Sequence, residues 1–427
     1  MPRRLLIALA ASLACAASFS AAAEDLLAVY ADARAADPLL AVSRAQSGVQ
    51  QELAVQARAG LLPQWSASAT QTRNQPGSND FSQVASTLSQ PVFDLGRMRQ
   101  WDAARTLASA QGAAVSAAEQ DLCERVVRAY FGVLTAQAAL TTAEANEGAL
   151  SQQVAQAEDR LKAGLSAAVD VEQARTFFAL AQGGTEQSRQ ALADAREALA
   201  QITGHAPGEL LPLATDIATP PPEPRDATAW VARAEQANPA LLAQQLVVKS
   251  GDESISAARA GHLPTLNLGV ISQRQHGWNA TDPGRTDTQI GVTLNIPIFA
   301  GGAVQSQVRQ AAYQREIAAD QAEATRRGIA RDVQAQFRAV ESGIKLIESG
   351  RAAVQAADLA VASTRAGFQL GTRTMTDLLL AIQNQAAAQN AFEQARHGYV
   401  LATLLLQGAA GGLDAEALAH VNALLRK

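Results

Sequence analysis

Proline limits this chain more than any other residue. None occurs between Pro91 and Pro207 and none after Pro297, whereas Pro212, Pro220, Pro221, Pro222, Pro224 and Pro239 crowd the middle. An internal proline removes a backbone donor and clashes with the preceding turn, so each proline-free stretch leaves room for very long helices. Both stretches open on matching segments, SQPVFDLG at 89–96 and NIPIFAGG at 295–302.

The match extends further. ARAGLLPQ at 57–64 answers ARAGHLPT at 258–265, and Asp37-Pro38 answers Asn238-Pro239. Gly164 with Asp170 six residues on answers Gly371 with Asp377. A period near 200 residues is too long for a solenoid, so the chain is an internal duplication. The first repeat is expected over 24–218, with a strand hairpin at about 64–92 and long helices to 204. The second is expected over 227–427, with a hairpin at about 264–298 and long helices to 408. The proline-rich TPPPEPRD at 219–226 reads as the linker.

Residues 1–23 have the layout of a cleavable secretory signal: Arg3 and Arg4, an apolar run, then an A-x-A pattern before Glu24. Cys15 lies in a poor lipoprotein context and leaves with the signal, so Cys123 remains alone, without a disulfide partner. Removing Arg3 and Arg4 leaves 33 basic against 40 acidic residues, and no basic cluster points to nucleic acid. The five histidines, His205, His262, His276, His397 and His420, lack metal spacing. With no phosphate loop, nucleophile elbow or HExxH either, neither cofactor, metal nor catalysis is expected.

Aromatic residues make up only 4% of the chain and alanine is abundant, which suits helices packed closely along their length. Val126, Tyr130, Val133 and Leu140, and again Ile329, Val333, Val340, Ile344 and Ile347, recur at helical steps. The stretch from Asp94 to about Ala163 is long enough for a rod of roughly 105 Å. QIGVTLNIPIF at 289–299 and TLNLGVIS at 265–272 alternate as strands should. QWSASATQT and SQVASTLSQPV alternate weakly, because one register holds mostly Ser, Thr and Ala.

After the signal no apolar run is long enough for a membrane helix, so any membrane crossing is by strands. Four strands cannot close a barrel and an open edge cannot sit in lipid, so several copies must share one. Pro63 and Pro264 are the elbows where helix gives way to strand, and Pro91 and Pro297 mark the return from strand to helix. Trp65, Phe93 and Phe299 flank the hairpins, where an aromatic girdle would lie.

Taken in order and in duplicate, LLAVYADARAADPLL, ARAGLLPQ, SQPVFDLG, RLKAGLSAAVDVEQAR, IPIFAGG and FQLGTRTMTDLL resemble the TolC family of outer-membrane export channels over essentially the whole mature chain. The resemblance implies a mainly α, α+β fold. Each protomer of a homotrimer would give four strands to a 12-stranded transmembrane β-barrel above a long α-helical barrel of coiled-coil hairpins in the periplasm. It also implies that KAGLSAAVD and QLGTRTMTD are the periplasmic tips, where Gly164, Leu165, Gly371 and Thr372 meet a periplasmic adaptor. Asp170, Arg373 and Asp377 would form the gate, with Arg373 pairing with Asp170 across neighbouring coils. Leu380 stands where family members often carry a second gate aspartate, and Phe368 where a tyrosine is common. Glycine suits such reversals because it tolerates positive φ, and both aspartates also read simply as helix caps. The function implied is a passive exit duct fed by an inner-membrane ABC or proton-driven transporter, for type I secretion or drug efflux. A periplasmic coiled-coil adaptor is the alternative, and it would lack paired hairpins at the helix junctions.

Overall fold

The computed structural model describes residues 24–73, 81–277 and 284–425. Residues 1–23, where a signal is expected, and the hairpin connections at 74–80 and 278–283 lie outside them. In chain order the elements are α1 (Leu26–Ala36), α2 (Pro38–Ala59), β1 (Gln64–Thr72), β2 (Phe81–Phe93), α3 (Leu95–Lys162), α4 (Ala168–Thr203), α5 (Ala227–Ala237), α6 (Pro239–Arg259), β3 (Thr265–Gly277), β4 (Arg285–Asn295), α7 (Ala303–Gln369), α8 (Met375–Ala409) and α9 (Ala415–Asn422). The proline-free stretches become α3 and α7, of 68 and 67 residues, followed by α4 and α8.

Two compact units cut across the repeats. One holds Leu39–Ala118 and Ala234–Arg331; the other holds the described parts of Met1–Pro38, Glu119–Arg233 and Asp332–Lys427. Each repeat therefore gives a segment to both.

The first unit carries a four-stranded antiparallel sheet in the order β1-β2-β3-β4. Directly paired residues share a face. One face bears Trp65, Leu88, Val270 and Ile290 in a row, with Leu268 paired to Val292 and Leu266 to Leu294 beside it. The opposite face is mainly polar, with Gln64, Ser66 and Ser68 of β1, Thr87 and Ser89 of β2, Asn267 and Gln273 of β3, and Gln289 and Thr293 of β4, interrupted by Ile271 between Thr87 and Gln289 and by Phe81 at the far end of β2. This is the apolar-out, polar-in alternation of a transmembrane barrel wall. The weakly patterned hairpin is thus a true one, its sparse apolar residues completed by those of β3 and β4 in the same rows. Pro91 lies inside β2, where the register shifts between Pro91 and Phe93. The irregularity accommodates a residue with no N–H to donate. At the first elbow the Gln64 amide donates to Ala59 O at 2.8 Å, Gln90 to Leu61 O at 2.9 Å and Arg97 to Gly60 O at 2.8 Å. The turn from α2 into β1 is therefore fixed from β2 and α3.

In the second unit Leu122, Val126, Val127, Tyr130 and Phe131 of α3 are buried, as are Val333 and Val340 of α7 and Leu404, Leu405 and Leu406 of α8. Each such leucine contributes roughly 2 kcal/mol by leaving water. Asp25 caps α1 by accepting from Ala28 N at 2.8 Å and holds the Asn422 amide at 2.9 Å, joining α1 to α9. The linker is pinned here too: Tyr399 donates to Pro220 O and Trp230 to Pro224 O, both at 2.8 Å.

His397 is buried in this core, its Nδ1 3.0 Å from Thr135 Oγ1 and its ring beside Phe131. Burial, aided by the Arg396 charge and opposed by Glu393, pulls its pKa down to about 4. The folded chain keeps this imidazole neutral while the unfolded chain protonates it near 6.5. Stability is therefore full above about pH 6.5 and lost progressively down to pH 4, by about 3 kcal/mol in all. Denaturation midpoints measured between pH 7 and 4.5 should fall less steeply in His397→Gln than in the parent. Parallel curves would show that this histidine does not set the acid response.

Candidate functional site

The two helix reversals are built on one backbone plan. At the end of α3, Gly164 N donates to Leu161 O at 3.0 Å and Leu165 N to Arg160 O at 2.8 Å. At the end of α7, Gly371 N donates to Phe368 O at 3.2 Å and Thr372 N to Gly367 O at 2.9 Å. This is the Schellman pattern, which needs a left-handed residue just past the helix, and Gly164 and Gly371 have φ of +73° and +77°. A Cβ at either would meet nothing within 4 Å, so conformation and not space demands glycine there.

The returning helices start differently. Thr374 caps α8 in a reciprocal box: Asp377 N donates to Thr374 Oγ1 at 3.2 Å and Thr374 N to Asp377 Oδ2 at 3.0 Å. In α4 the cap position is Ala167, which has no acceptor side chain. Asp170 instead takes the Ser166 hydroxyl at 2.6 Å and the Ala167 N–H at 3.3 Å. The T-x-x-D pattern at 374–377 is readable from sequence, whereas the Ser166 substitute is not.

Both aspartates are thus helix-start acceptors within the protomer, and among the described residues no ion pair joins Asp170 to Arg373. Arg373 is exposed and folds back over Gly367, where an added Cβ would stand 2.7 Å from its Cγ. The Thr374 N–H and hydroxyl, and then the nearby Arg373 charge, hold the Asp377 carboxyl below the usual carboxylate range.

Beneath the turns the hairpins share one apolar cluster. Leu150 and Ala157 of α3 and Val171 and Ala174 of α4 meet Val361 and Phe368 of α7 and Met375, Leu378, Leu379 and Ile382 of α8. Thr376 Oγ1 also donates to Gln173 Oε1 at 2.7 Å. Phe368 is buried, with the Arg160 guanidinium 4.8 Å above its ring. Sequence reading missed this contact because the two residues are over two hundred positions apart. Leu165 and Leu370 remain 69% and 81% exposed, and Leu380 is exposed as well, so each turn presents an apolar side chain to solvent. Pro63 and Pro264 lie between helix and strand in both repeats, and Pro297 lies in the connection from β4 to α7.

A sheet with one mainly apolar and one mainly polar face, joined to helices of nearly 70 residues with glycine-turned ends, is the build of an outer-membrane channel protein. The chain matches the family model described as outer membrane efflux protein over residues 29–205 and 230–412, one stretch per repeat, and it belongs to that family. It is 31% identical over 415 residues to the outer membrane protein TolC of Vibrio cholerae, covering 95% of this chain and 94% of the relative. It is also 31% identical over 424 residues to TolC of Escherichia coli, covering 95% and 86%. In fold it is similar to the crystal structure of the outer membrane protein VceC from Vibrio cholerae, with a TM-score of 0.79 at 21% identity over 91% of this chain and 97% of that one. The protein is therefore an outer-membrane channel of the secretion or efflux type, and the adaptor alternative is set aside.

Proposed function

We propose that three copies of this chain share one 12-stranded barrel, β1 of each pairing with β4 of the next, and that their helices enclose a tunnel through which substrates leave passively. The observation behind this reading is the sheet's two outer strands. Within the described residues of one protomer, β1 and β4 each pair on one side only. In lipid an unpaired edge leaves N–H and C=O groups without partners.

The glycine turns serve as the periplasmic tips. Leu165 and Thr372, beside Gly164 and Gly371, meet the periplasmic adaptor, and an inner-membrane ABC or proton-driven transporter supplies the energy. Asp170 of one coil and Arg373 of its neighbour latch the closed tunnel, and Asp377 lines the aperture. An arginine–carboxylate pair is directional, which suits a latch that must later part. Exposed, it contributes roughly 0.5–1 kcal/mol, three times over in a trimer.

Asp170→Ala or Arg373→Ala should therefore raise single-channel conductance in planar bilayers and admit larger antibiotics, without loss of trimers. Asp377→Asn should weaken cation preference. Because the Asp377 carboxyl titrates below its ordinary range, the parent's preference should persist as pH falls from 7 to 5. Parental conductance in both latch variants would reduce Asp170 and Arg373 to turn residues.

A further inference from the structure

The helices α3, α4, α7 and α8 and the segment 207–213 line a cavity of about 960 Å³ within a single protomer. Much of its wall is apolar, from Val133 and Leu134 of α3, Leu210 and Leu213 of the segment, Val354 of α7 and Phe392 of α8. Volume and lining both fall in the range of small-molecule sites.

One buried polar group in that wall has an atom without a partner. His397 of α8 lines the cavity and is only 5% exposed. Thr135 Oγ1 donates to Phe131 O at 2.7 Å, which spends its hydrogen. It can therefore only accept from His397 Nδ1, 3.0 Å away. The ring proton sits on Nδ1, and Nε2 carries a bare lone pair. Among the described residues nothing donates to Nε2, yet it is not sealed away as the partnerless Arg396 Nε is, so it opens onto the cavity. A buried acceptor left without a donor is costly, and such groups are normally satisfied.

The surroundings select the donor. Burial keeps His397 neutral in spite of Glu393, whose attraction is offset by Arg396, and the same desolvation opposes an ammonium at Nε2. Glu393 is already engaged by Arg396 Nη1 at 2.7 Å. Arg196 and Glu209, also in the lining, are exposed and stay hydrated. An anion finds no hydrogen to accept at Nε2. We propose that this cavity binds neutral phenol-type molecules, with the ring against Leu134, Leu210 and Phe392 and the hydroxyl donating to His397 Nε2.

Fluorine NMR titrations of the purified protein at pH 7 test this with three ring probes. 4-Fluorophenol should bind about tenfold more tightly than 4-fluoroanisole, which has the same ring and no donor, and than the cation 4-fluorobenzylamine. In His397→Leu the phenol and the anisole should bind alike. In Ala138→Phe, whose new ring enters the cavity from α3, neither should bind. Equal affinity of phenol and anisole in the parent would overturn the hydrogen bond, and preference for the amine would overturn the neutral ligand. Absence of phenol binding to the parent, as would follow if a neighbouring copy filled the cavity, would overturn the site, as would unchanged binding in Ala138→Phe. The parent comparison needs no variant, so it decides even where a variant fails to fold. Because the cavity is built within one protomer, its failure would leave the barrel and tip assignments untouched.

Discussion

A Val292→Pro variant is expected to yield no trimers on semi-native gels. Val292 sits in β4 opposite Leu268, 64% exposed on the apolar face, and β4 is an outer strand of the protomer's sheet. Proline removes the backbone donor there and, in a strand with partners on both sides, clashes with the ladder. The cost is several kcal/mol per copy, because no water replaces the lost partner in lipid, and it recurs in every protomer that must close the ring. Val292→Leu keeps the ladder and the apolar face, so it should assemble normally. A parental yield of trimers from the proline variant would mean that β4 does not lie in a closed barrel.

The second large effect is expected at the tips. Gly164→Trp and Gly371→Trp each force a side chain into a left-handed position, at about 1–2 kcal/mol, where the added Cβ itself meets nothing within 4 Å. The hairpin core beneath, with Met375, Leu378 and Leu379 at most 1% exposed, holds the helices in place, so trimers should form. The bulky residue would cover the surface proposed to meet the adaptor, and export in cells should fall to the level of a deletion strain. Asn tolerates positive φ and is small, so Gly164→Asn should retain most export. Full export by both tryptophan variants would move the docking surface elsewhere.

Much of the architecture is legible in the sequence because it is written locally. Proline spacing delimits the long helices, T-x-x-D at 374–377 announces the start of α8, and glycines past helix ends announce the reversals. The alternation of β3 and β4 is equally plain. What sequence reading missed depends on pairing at a distance. β1 and β2 look too polar alone, and only the register setting Trp65 against Leu88 and Leu88 against Val270 shows one apolar row running across all four strands. Pro91 falls inside a strand because an irregular register lets the ladder absorb it. The compact units interleave the repeats because α3 and α7 each begin in one unit and end in the other, which no local pattern encodes. Arg160 over Phe368 and Ser166 on Asp170 are likewise products of the fold, the latter standing in for a cap that Ala167 cannot provide.

Single-channel recording of the purified protein in planar bilayers tests the account most directly. A shared barrel narrowed by Asp377 predicts uniform, long-lived steps of one size that favour cations, with the preference reduced in Asp377→Asn. Inserted trimers that pass no current even when Asp170 and Arg373 are both replaced by alanine, or steps of varied size without ion preference, would contradict it.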